Sequence, residues 1–152
     1  SFVNTILFSL TYWSSQNYGY GAIWIRYVRD RFGDEVIKNL CATRLVGVAA
    51  VESATGMNFN ELFTDFTRAL VMSGTGDSTD PRYGFTTLNL REVQPGARGG
   101  LATTDTYKIS SGNTFSGDLL PYQIIFNTRT GDFGNLTLSG TDAQGTVFGL
   151  SY

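Results

Sequence analysis

The chain has 152 residues, 41% of them hydrophobic and 14% aromatic, with only 16% charged and a formal net charge of -2. That length suits one domain or two small ones packed together, and the apolar content excludes a disordered chain. Nine of the eleven basic residues are arginine and they form no cluster, so nucleic acid is not an expected partner. Histidine is absent and Cys41 is the one cysteine. This chain alone therefore forms no His-Glu-x-x-His zinc site, Ser-His-Asp triad, Cys-His pair, internal disulfide or multi-cysteine metal site.

The run from Phe2 to Trp13 is apolar but short, and Asn4, Thr5, Ser9 and Thr11 interrupt it. It reads as a buried helix or strand rather than a signal peptide, and the chain shows no membrane span. From about Tyr20 to Phe32 the spacing predicts a helix. Tyr20, Trp24, Tyr27 and Arg31 share one strip, Ile25, Val28 and Phe32 line the next, and Arg26, Arg29 and Asp30 lie toward water. Gly33 suits a helix C-terminus and Asp34 the cap of the following helix, which is expected to bury Val36, Ile37, Leu40 and Cys41. A short helix over Val48 to Ala54 ends at Gly56. Asn58 then caps a fourth, with Glu61 placed to reach back to the cap amide. That helix puts Phe59, Leu62, Phe63, Phe66, Ala69 and Leu70 inward and Asn60, Glu61, Asp65 and Arg68 outward.

Composition changes near Ser73 to Pro81. Most of the eighteen glycines and all three prolines lie from this stretch onward. Strands are predicted over Gly84 to Leu90, Thr106 to Ile109, Tyr122 to Asn127, Asn135 to Ser139 and Thr146 to Leu150, with an exposed loop over Gln94 to Thr104. The expected fold is α+β: a helical subdomain of three to four helices over 1–73, a hinge with Gly/Pro-rich loops and a short strand over 74–104, and a small antiparallel β tail over 105–152.

Few residues invite a chemical role. Asp77 and Asp80 could offer oxygens to calcium, but their spacing misses the twelve-residue loop, and turn capping accounts for them as it does for Asp132 and Asp142. The glycines between 96 and 100 lack the lysine of a phosphate loop. Asp34 with Glu35, and Glu61 with Asp65, are carboxylate pairs on solvated helix faces, where nothing raises a pKa for acid catalysis. Tyr12, Trp13, Tyr18, Tyr20, Trp24 and Tyr27 could form an aromatic binding platform, although core packing explains most of them.

The stretch from Asn17 to Leu40, with Tyr20-Gly21, Trp24, Tyr27-Val28 and Phe32-Gly33, resembles a helix of hyicolysin-like bacterial zinc metallopeptidases of the gluzincin type. Gly47 to Gly56 followed by Phe59 to Ala69 is similar to the helix pair beyond that family's active site, and Leu120-Pro121-Tyr122 to the start of a strand in its β-rich tail. The likeness covers residues 16–73 best. It implies a secreted or cell-surface bacterial protein whose His-Glu-x-x-His segment and zinc lie upstream of Ser1. Its implied partners are an upstream catalytic domain of the same polypeptide and a peptide or protein substrate. This chain would then be a noncatalytic C-terminal part completing the cleft, with no catalytic residue, no metal ligand and no cofactor of its own. Asn17, Tyr18 and Tyr20 are the candidate cleft-lining residues under that resemblance. A fragment of this kind should expose part of the face carrying Trp24 and Tyr27, and should self-associate there. The alternatives are an extracellular binding or structural module without enzymatic activity, and a degenerate relative that never held zinc.

Overall fold

Glycine in the left-handed region sets two of the corners from which the fold is built. The helix α1 (Tyr18–Phe32) stops where Gly33 turns to φ 84°, its N–H closing on the Arg29 carbonyl at 2.8 Å. The α3 helix (Gly47–Thr55) stops the same way at Gly56, φ 69°, whose N–H reaches the Glu52 carbonyl. An L side chain at either position would be strained. Between them lies α2 (Asp34–Ala42), and after them α4 (Phe59–Met72). These observations come from a computed structural model that describes residues 9–11, 18–76, 78–90, 107–108, 122, 124 and 127–128.

Asn58 caps α4 as its sequence predicts, its side-chain oxygen accepting from the Asn60 N–H at 2.9 Å. A second orphan donor at this end, the Phe59 N–H, goes to the Glu52 carboxylate of α3 at 2.9 Å. The cap thus also ties α3 to α4. Asp34 opens α2 without a side-chain cap bond, and its carboxylate pairs with Arg29 instead.

The core lies between α1 and α4. Tyr20, Ile23, Trp24, Tyr27 and Val28 pack against Phe59, Leu62, Phe66, Ala69 and Leu70, joined by Val36, Leu90 and Ile124. Phe66 is its centre, meeting Trp24 edge-on at 5.0 Å and lying 5.3 Å from Tyr27 and 5.9 Å from Tyr20. Rings at these distances contribute beyond the area they bury. The expected exposure of Trp24 and Tyr27 is corrected: they are 5% and 0% exposed, because α4 covers the face they share. Cys41, expected in the core, is exposed; of the four apolar positions on α2 only Val36 is fully buried.

The α+β expectation is overturned for the described residues, whose regular structure is helical apart from one two-residue β pairing. The segment 84–90, read as a strand, is irregular. Its backbone donors are taken by a side chain: the Asp30 carboxylate on α1 accepts from the Thr86 N–H at 2.9 Å and the Thr87 N–H at 3.0 Å. Arg26 donates to the Thr87 hydroxyl and carbonyl from the neighbouring turn of the helix. A buried or pinned backbone needs partners, and here a carboxylate supplies what a sheet neighbour would. The one β pairing among the described residues joins β1 (Tyr107–Lys108) to β2 (Asn127–Thr128). It is parallel and two residues long, not an antiparallel sheet. The predicted strands at 135–139 and 146–150, the loop at 94–104 and the turns at Asp132 and Asp142 lie outside the described residues.

Two contacts bring distant chain onto the helices. The Leu10 N–H donates to the Tyr122 carbonyl at 3.2 Å. Tyr122 packs edge-on against Phe59 and Phe63 and donates its hydroxyl to the Asn60 side chain at 2.8 Å. The turn at Pro81–Tyr83, a single 3₁₀ turn, packs on α4; Asp80 caps it by accepting from the Arg82 N–H, the turn-capping role expected of it. Asp77 lies outside the described residues.

Candidate functional site

The fold brings polar residues together on the outer side of α4, in an open cleft bordered by the end of α1 and the Pro81–Tyr83 turn. Its volume is about 400 Å³, within the roughly 300–1,000 Å³ of small-ligand pockets. At its base Arg31 sits one turn beyond Tyr27 on the core strip of α1. Its Nη1 donates to Asp65 at 2.7 Å and to the Tyr27 hydroxyl at 2.8 Å. Both ion-pair side chains are nearly buried, at 11% and 12% exposure. The Tyr27 hydroxyl in turn donates to the Arg82 carbonyl at 2.8 Å. Burial pushes that hydroxyl up to about 12, partly offset by the Arg31 guanidinium, so it stays protonated and a donor at neutral pH.

The rim is also made of guanidinium groups and a ring. Arg68 donates to the Tyr83 hydroxyl at 3.0 Å with its guanidinium carbon 5.4 Å from the ring centre, and Arg82 stands 5.1 Å from the same ring. Arg82 is held by both oxygens of Asp80, which keeps that carboxyl below its usual range through the bond to the Arg82 side chain first and its backbone N–H second. The expectation that Asp65 lies on a solvated face is thereby corrected. It is buried, because α1 delivers an arginine to meet it. Sequence reasoning missed this pair, and the available signal was Arg31 on an otherwise aromatic strip: a charge at a core position needs an opposite partner.

A second, apolar groove runs between α1 and α3. It holds about 640 Å³ and is walled by Trp24, Ile25, Val48, Val51 and Phe59, with Leu10 at one end. Tyr18 and Ile25 stand beside it, 68% and 42% exposed. Of the three expected cleft-lining residues, Tyr18 lines this groove, Tyr20 does not, and Asn17 lies outside the described residues. Tyr20 is fully buried in the aromatic core, its hydroxyl without a hydrogen-bond partner among the described residues and its pKa raised by desolvation. It is a packing residue of that core.

The chemistry of zinc, metallopeptidases and hydrolases that the resemblance carries is corrected by the donor set. Among the described residues no group of three or more His, Cys, Asp or Glu could hold a metal ion. Six of the carboxylates are tied to arginine, lysine or backbone N–H groups: Asp65 to Arg31, Asp80 to Arg82, Asp34 to Arg29, Glu35 to Lys38, Glu52 to Phe59 and Asp30 to Thr86 and Thr87. Among the described residues no helix is long and apolar enough to cross a membrane. No family model, no curated protein and no solved structure matches this chain.

Proposed function

We propose that the chain is a noncatalytic helical module that completes an upstream domain of the same polypeptide, with the α1–α3 groove as its docking face. The observation that supports this reading is the groove itself: an apolar trough bordered by exposed Tyr18 and Ile25, beside a core that is otherwise covered. Apolar surface left open next to a finished core is the usual mark of a binding partner. The likeness of residues 16–73 to helices that follow an active site is what points upstream. In the other cleft Asp65 and Arg82 are each held in an ion pair, with Arg31 and Asp80 respectively.

A photo-crosslinking side chain at Ile25, in the polypeptide as its source makes it, tests the reading. Crosslinks mapping within the same polypeptide N-terminal to Ser1 are expected. Crosslinks to a different protein would overturn it in favour of a free-standing binding module, and an uncrosslinked product would overturn both. Incubation of the purified chain with a mixed peptide library should leave the peptides intact.

A further inference from the structure

The loop that joins α2 to α3 runs over the surface: from Cys41 to Gly47 every residue is exposed except the half-buried Thr43. Leu45 and Val46 are 49% and 83% exposed, although both are apolar. The backbone is extended at both ends of the loop, at Thr43 (φ -70°, ψ 150°) and at Val46 (φ -129°, ψ 157°). Between them the Leu45 N–H donates to the Thr43 hydroxyl two residues back, at 3.1 Å. Among the described arginines and lysines, Arg26, Arg29 and Arg31 lie in α1, Lys38 in α2, Arg68 in α4, Arg82 in the 3₁₀ turn and Lys108 in β1. Of that described set Arg44 alone lies outside regular structure.

We infer that the Arg44–Leu45 bond is a processing site for an arginine-directed endopeptidase, and that the cut product stays folded as two chains. Such an enzyme takes an extended backbone and receives the basic side chain in an acidic pocket. Exposed loops between elements are the usual places of nicking. The residues before the bond are available as well, because the last turn of α2 carries no buried side chain and opens at small cost. The step is a hydrolysis: the C–N bond breaks, the hydroxyl of water goes to the Arg44 carbonyl carbon and a proton to the Leu45 nitrogen.

What joins the two halves does not pass through that bond. Tyr20, Trp24 and Tyr27 precede the cut and pack on Phe66, which follows it. The Arg31–Asp65 ion pair and the bonds from the Thr86 and Thr87 N–H groups to Asp30 span it too. None of this depends on the α1–α3 groove being a docking face.

The test is brief digestion of the folded 152-residue chain with trypsin, each new N-terminus being labelled and quantified by mass spectrometry. The Arg44–Leu45 bond should be cut about tenfold or more faster than the bonds after Arg26, Arg29, Arg31, Lys38, Arg68 and Arg82, since a bond within a helix must first be opened. The fragment ending at Arg44 and the one beginning at Leu45 should elute together on gel filtration and separate only in denaturant. Arg44→Gln should abolish that cut and leave the thermal midpoint unchanged. Equally fast cutting at any of those other bonds, no cut at Arg44 until the chain is heated to unfolding, or separation of the fragments in native buffer would each overturn the inference.

Discussion

The two sides of α4 do opposite work with the same helical spacing. Its inner side carries Phe59, Leu62, Phe66, Ala69 and Leu70 into an aromatic core shared with α1. Its outer side carries Asn60, Glu61, Thr64, Asp65 and Arg68 into a polar cleft. On the first side stability comes from area removed from water and depends on shape. On the second it comes from matched charges, and removing one partner costs more than the pair contributes. The boundary between them runs through Tyr27, whose ring packs on Phe66 and whose hydroxyl joins the Arg31–Asp65 network.

The largest expected effect is on the apolar side. Phe66→Ala should destabilise the chain by about 3–5 kcal/mol in denaturant titrations, because the surrounding rings cannot collapse into the space. On the charged side, Asp65→Ala should cost about 3 kcal/mol by leaving Arg31 buried without its partner, whereas Arg31→Met combined with Asp65→Leu should recover most of that. If the double variant were as unstable as the single one, the contrast between the two sides would fail. Asn58→Ala removes one bond at the start of α4 and should cost about 1 kcal/mol by the same measurement.

Alkaline pH probes the boundary residue. The Tyr27 hydroxyl is held protonated up to about 12 in the folded chain, against an ordinary value of 10.0, chiefly by burial. The unfolded chain loses that proton first, so the contribution is complete below pH 10 and is lost as pH rises from there toward about 12. Urea midpoints should fall across that window, and less steeply in Tyr27→Phe. The smallest effect belongs to Tyr20. Its buried hydroxyl has no partner among the described residues, so Tyr20→Phe should be neutral or stabilising, within about 1 kcal/mol. A clear loss of stability would mean that the hydroxyl is satisfied after all.

Much of the helical half was legible beforehand. Gly33, Gly56 and Asn58 mark helix ends through interactions that reach only a few residues, and the 3.6-residue spacing of Phe59, Leu62, Phe66 and Ala69 marks the inner face of α4. Cys41 and Asp65 were misplaced for one reason. Periodicity names the faces of a helix but not the neighbour that covers them. Leu40 is half-buried and Cys41 exposed on α2, while Asp65 is covered by α1. The segment 84–90 was misread because its Thr and Phe content suits a strand, and nothing local announces that Asp30 takes its N–H groups.

The sequence by itself therefore determined the helix ends at Gly33 and Gly56, the start of α4 at Asn58 and which side of α4 turns inward, since capping and periodicity are short-range. Only the tertiary structure decided the polar cleft, the irregular course of 84–90 and the burial of Trp24 and Tyr27. Arg31 and Asp65 are 34 positions apart, and Asp30 and Thr87 are separated by 57. Pairs so distant meet only when helices cross at a particular place. That crossing is set by how the rings of α1 and α4 fit together, which no local pattern encodes.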